Sequence, residues 1–376
     1  MRNKILLATL TICSSYATFA QSKLPVMHAT NVSVAIQEDN GPVQNNRWTI
    51  VPTEKLDVMT TSAKTIAFIT DKEKKVFTVD RKSPTNFYIL LNGKDSCLTQ
   101  IKYAPSRKDI LLGGKNFNTA DKRETPAFTY QPASNERLQY IRKLYNLDSI
   151  AGTGTAQSKM IHLMTWVHNL IRHDGNSDNP NPRNAEAIIN VCKKENRGVN
   201  CRMLATVLNE CYLAIGLKSR YVTCMPKELQ FDDCHVINMV YDEETNKWVW
   251  MDPTNNAYVM NEKGELLGIR EVRERLINNQ PLILNPDANW NRKQTATVDS
   301  YLKQYMTKNL YRLESPASSE VDFETWAKGK EVTFIQLLPL DALNQTPQKS
   351  SKTYEKTGTT FHNYVTNNPD VFFAKP

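Results

Sequence analysis

The chain has 376 residues, with 47 Lys and Arg against 39 Asp and Glu, a formal net charge of +8, and seven cysteines. Its basic residues are scattered among acidic ones rather than gathered in a stripe, which argues against a nucleic-acid footprint, and so few cysteines in so long a chain do not make a disulfide scaffold. The length exceeds what one hydrophobic core usually supports and predicts two domains, or one domain with large additions.

The first twenty residues have the layout of a secretory signal peptide: Arg2 and Lys4, an apolar run from Ile5 to Ile12, then small residues ending in Thr18-Phe19-Ala20. The mature protein is therefore expected to begin near Gln21 and to be exported to the periplasm, the cell surface or the medium. Loss of Arg2 and Lys4 lowers the formal charge from +8 to +6. A lipid anchor on Cys13 is disfavoured, because Ile12 stands where lipoprotein processing requires a small residue. No later stretch approaches the roughly 20 apolar residues of a membrane helix, so no stable membrane insertion is expected.

From about Asn31 to Tyr103 the sequence reads as short strands. Trp48 to Val51, Thr65 to Ile69, Val76 to Val79 and Phe87 to Leu91 are rich in β-branched and aromatic residues and are separated by turn formers such as Asn92-Gly93. This predicts a β-rich domain over 21–125, whose last part, Ala104 to Ala127, reads as a polar connection. Helical spacing follows, with Leu138, Ile141 and Leu144 on one face and Met160, Leu163, Met164, Val167, Leu170 and Ile171 on another. A loop dense in Asn, Asp, Gly and Pro, His173 to Arg183, ends the second of these helices. An α+β domain is expected over 126–300. The remainder, 301–376, is expected to be an extension with a strand at Val332 to Leu338 and a polar surface loop at Asn344 to Thr360.

Within the α+β segment Asn200 is a good N-cap, and Leu204, Val207, Leu208, Cys211 and Ile215 follow at helical spacing until Gly216. Cys201 thus falls on the first helical position, outside the apolar stripe. There the helix dipole and the unpaired backbone N–H groups favour a thiolate and are placed to hold an oxyanion. Most free cysteines are merely small buried residues, so this position alone decides nothing.

A second pattern adds to it. Cys234 to Asp242 alternates, with His235, Ile237, Met239 and Tyr241 on one face, and Trp248 to Asp252 alternates again. A four-residue turn at Glu243 to Asn246 sets Asp252 opposite Ile237 and makes His235 its diagonal neighbour on the same face. An odd turn without a bulge would separate them. A carboxylate at that place fixes the orientation and tautomer of an imidazole that takes a proton from a thiol.

Four stretches then resemble one family: Gly198-Val-Asn-Cys201-Arg-Met-Leu-Ala205, Gly216-Leu-Lys-Ser-Arg-Tyr-Val222, Cys234-His235-Val236 and Trp250-Met-Asp252-Pro-Thr254 look like the core of transglutaminase-like proteins. Met164 to Ile171 resembles the helix that precedes it. The resemblance covers roughly Glu136 to Pro286. It implies a papain-related fold in which a cysteine helix packs on an antiparallel sheet, with Cys201 as nucleophile, His235 as general base and then acid, and Asp252 as the orienting carboxylate. Two positions depart from the pattern. Ile237 stands where many members have an aromatic residue, and no motif marks the upstream oxyanion donor, for which the loop His173 to Asn181 offers candidates.

The function expected first is a cysteine-dependent peptidase or amidase acting on a protein or peptide through a thioester. Alternatives are a protein-glutamine acyltransferase with the same triad and a surface binding module that keeps the fold without the reaction. No cofactor or metal is expected, since C-x-x-C, H-E-x-x-H and G-x-S-x-G are all absent. Cys224 and Cys234 fall on strands that could be neighbours, which leaves a disulfide between them open.

Overall fold

The computed structural model describes residues 24–52, 55–341, 345 and 348–376. The expected signal peptide, 1–20, lies outside the described residues. The chain divides into two compact units, the first ending at Ser106 and the second running from Arg107 to Pro376.

The first unit is all β. One four-stranded sheet has the order Val26–Ala29, Thr85–Leu91, Asp95–Tyr103, Asp57–Thr61, and the other Gln44–Thr49, Ser33–Glu38, Thr65–Ile69, Lys74–Thr78. Alternation along these strands sends Met27, Ile36, Ile66, Phe68, Phe87, Ile89 and Ile101 into one shared core, as expected for two sheets whose inner faces pack together. The expected β-rich domain is present, but its boundary is 106/107 rather than 125/126. Arg107–Gly113 is a helix, not part of a polar connection, and buries Leu111 in the second unit's core.

A seven-stranded sheet organises the second unit, in the order Lys247–Met251, His235–Asp242, Ser219–Met225, Arg312–Pro316, Glu331–Leu337, Thr359–Thr366, Lys349–Tyr354. All neighbours are antiparallel except Glu331–Leu337 with Thr359–Thr366. One core holds Leu204, Val207, Leu208 and Cys211 of the helix Cys201–Ala214 together with Val240, Val249 and Met251 of the sheet. The helices Glu136–Leu144, Ala156–Leu170 and Ala185–Glu195 join the same core. The opposite face, with Ile237, Met239, Trp248 and Trp250, is covered by Ile269–Asn278 and Val298–Met306. This is the expected α+β fold with a transglutaminase-like core.

Residues 301–376 are not an appendage. Four of the seven strands come from them, including Lys349–Tyr354 within the stretch expected to be a surface loop. That strand is exposed at every position and forms the sheet edge. With no apolar alternation to reveal it, its pairing with Thr359–Thr366 is what makes it a strand.

Candidate active site

The three expected residues meet at one end of this sheet for a simple topological reason. Asp242 pairs with Lys247, leaving 243–246 as the turn, and Asn238 pairs with Met251. Continued by one residue, that register sets Asp252 opposite Ile237 and diagonal to His235. Because the strands are antiparallel, the start of one lies beside the end of the other. His235 is the first residue of its strand and Cys201 the first of its helix. The helix begins as its N-cap predicts, with Asn200 Oδ1 accepting from Met203 N at 3.2 Å.

His235 Nε2 and Asp252 Oδ2 are 2.7 Å apart, both residues fully or almost fully buried. That leaves Nδ1 as the ring nitrogen available to the Cys201 thiol, which lines the same cleft as His235. Asp252 is held by further donors: Tyr301 Oη at 2.5 Å, Asn255 Nδ2 at 2.9 Å, and the backbone N–H of Thr254 and Asn255 at 2.8 and 3.3 Å. Burial favours its neutral form, but the positive ring of His235 and these donors outweigh burial and hold the carboxyl below its usual range. Burial likewise opposes charge on His235, and Asp252 together with the thiol raises it to about 10. Cys201 follows the same logic. Burial resists ionisation, yet hydrogen bonds from His173 and His235 bring the thiol down to about 6. Both shifts favour a thiolate–imidazolium pair over the neutral pair.

The pair opens into a cleft of about 570 Å³ lined by His173, Asp232, Thr254, Asn255, Trp290, Gln294, Tyr301 and Tyr305, among others. Several of these escape a reading of the sequence. Tyr301 and Tyr305 lie four apart on the π-helix Val298–Met306, and their rings meet the His235 ring edge to face at 6.4 and 5.3 Å. Their helical spacing with Val298, Leu302 and Met306 was a visible signal. Trp290 lies in a two-residue strand and offers none. Cys224 and Cys234 are both free; Cys224 pairs across the sheet with His235, and the open possibility of a disulfide between them is not realised. Among the described residues no group of His, Cys, Asp and Glu is arranged to hold a metal ion, and no helix is long and apolar enough to cross a membrane.

Residues 145–253 match the family model described as the transglutaminase-like superfamily. This stretch is a transglutaminase-like domain by that match. The matched span of the transglutaminase-like domain contains Cys201, His235 and Asp252, whereas Tyr301, Tyr305 and Trp290 lie beyond it. Among solved structures, the chain is similar to a candidate cysteine protease from Cytophaga hutchinsonii, at 17% identity over 42% of this chain and 51% of that one, with a TM-score of 0.26. It is also similar to LapG from Legionella pneumophila, at 11% identity over 38% and 78% with a TM-score of 0.25, and to red sea bream transglutaminase, at 10% identity over 67% and 52% with a TM-score of 0.22. The match spans about half the length of the first of these structures. A search of curated proteins finds no match.

Proposed function

We propose that the protein is an exported cysteine peptidase or amidase that works through a thioester acyl-enzyme, with Cys201, His235 and Asp252 as its triad. The observation that carries this reading is the buried His235–Asp252 pair, 2.7 Å from Nε2 to Oδ2, with His235 and Cys201 lining one cleft large enough for a peptide segment.

In the proposed reaction the Cys201 sulfur attacks the amide carbonyl carbon. The C–S bond forms, and the C–N bond breaks as His235 gives its proton to the leaving amine. The neutral imidazole then takes a proton from water, whose oxygen attacks the thioester carbonyl; the C–S bond breaks and the thiolate–imidazolium pair is restored. Asp252 stays ionised throughout and fixes the ring.

The test is whether iodoacetamide labels Cys201 ahead of the other five described cysteines and thereby ends hydrolysis of a peptide library, with Cys201→Ala equally inactive. Hydrolysis that survives in Cys201→Ala overturns the proposal. Incorporation of a primary-amine probe into protein glutamine at the expense of hydrolysis would instead assign amine transfer.

A further inference from the structure

On the face of the sheet away from the cysteine helix lies a second cavity, of about 200 Å³, walled by Leu313, Leu337, Phe117 and Phe373. It shares no lining residue with the Cys201 cleft. Its volume is that of roughly seven water molecules in the liquid, enough for a compact organic molecule and too little for a peptide segment.

Two buried polar side chains line this cavity without being satisfied. Arg273, 5% exposed, comes from Ile269–Asn278. Its Nε donates to Leu310 O at 2.9 Å and its Nη2 to Gly114 O at 2.5 Å, and Nη1 has no acceptor among the described residues. No carboxylate pairs with it directly. Burial draws its pKa down to about 10, and Glu274 and Asp341 offset only part of that cost. Tyr311 is 1% exposed, and its hydroxyl has no hydrogen-bond partner among the described residues. The two side chains meet the same backbone. Arg273 holds the carbonyl of Leu310, the residue before Tyr311, and also that of Gly114, where a β-carbon would come within 2.6 Å of the Tyr311 ring. An unpaired guanidinium N–H and an unpaired hydroxyl are thus held side by side in a site that is otherwise largely apolar, and leaving both without acceptors is costly.

The charge of the lining has one sign in excess. Lys115, Arg270 and Arg273 face a single carboxylate, Glu274, which already accepts from Arg270 Nε at 3.2 Å. Arg270 is further paired with Asp370 at 2.8 Å. The cations left over are Arg273, inside, and Lys115, which is exposed. We infer that this cavity binds a small organic carboxylate with an apolar body, one carboxylate oxygen accepting from Arg273 Nη1 and the other from the Tyr311 hydroxyl. Two free donors match two oxygens, the apolar walls take the body, and Lys115 adds its charge from the surface. Nothing in this inference depends on the role of Cys201.

Isothermal titration of the full chain with hexanoate tests it, with hexanol, hexylamine and inorganic phosphate as controls. Saturable one-to-one binding of hexanoate is expected, with none of the controls binding as tightly. Arg273 also ties backbone together, so its replacement endangers folding, and two milder variants carry the test. Tyr311→Phe keeps the ring and should weaken hexanoate about tenfold. Lys115→Glu, at an exposed position, should weaken it several-fold and steepen its salt dependence. Cys201→Ala should bind hexanoate as the parent does. No saturable binding at millimolar hexanoate overturns the site. Hexanol binding equal to that of hexanoate, or tighter binding of phosphate, overturns the carboxylate as its ligand. Unchanged affinity in both Tyr311→Phe and Lys115→Glu, or loss of binding in Cys201→Ala, moves the ligand elsewhere and overturns the assignment to this cavity.

Discussion

A thiol beside a histidine becomes a nucleophile only when the ion pair is favoured over the neutral pair, and at this site the neighbours of each partner outweigh the opposition of burial. Cys201 gains the helix start and two imidazole neighbours, while His235 gains a carboxylate that is itself held by the Tyr301 hydroxyl, the Asn255 amide and two backbone N–H groups. The thiol is lowered to about 6, so the thiolate is present above that pH and lost below it. The imidazole is raised to about 10, so the imidazolium is present below that pH and lost above it. The acylation rate should therefore rise through pH 6, hold a plateau, and fall towards pH 10, which a pH–rate profile of the p-nitrophenyl acetate burst measures. A single rise near the ordinary thiol range would contradict the ion pair.

At the scale of elements, the hairpin carrying His235 and Asp252 is held in register by burial of both strands. Every residue of His235–Asp242 is buried and 243–246 are exposed. Side chains alternate between faces, so a shift of one residue within a strand moves each of them to the wrong side. One Ala inserted between Met251 and Asp252 should abolish the burst, because the carboxylate then leaves the face of His235. One Gly inserted after Glu244 should leave the burst within a few-fold: burial keeps Asp242 paired with Lys247, so the extra residue bulges out in the exposed turn and no strand residue changes face. If the turn insertion is as damaging as the strand insertion, the register does not explain the site.

For the whole molecule, each unit has a core of its own, and all the residues of the cleft belong to the second. A fragment 107–376 is predicted to fold and to keep the Cys201-dependent burst, whereas a fragment ending at residue 300 should not fold. The shorter piece lacks Arg312–Pro316, the neighbour of Ser219–Met225 in the middle of the sheet, and most of the π-helix that carries Tyr301 and Tyr305. Circular dichroism and thermal melting of the two fragments check this; a cooperative melt of the shorter one would refute it.

What local rules govern was legible in the order of residues alone. An asparagine cap and an apolar stripe specify where the cysteine helix starts, and strict alternation around a four-residue turn specifies how His235 meets Asp252. Both depend on residues close along the chain. Tertiary structure decided the rest. The bond between His173 and Trp290 spans 117 positions and the one between Asp252 and Tyr301 spans 49, and no periodicity encodes such pairs. The edge strand Lys349–Tyr354 has no buried face to leave a pattern. Donors that surround a nucleophile come from whichever loops the packed sheet brings to its end, so their identity emerges only when the long-range pairings close.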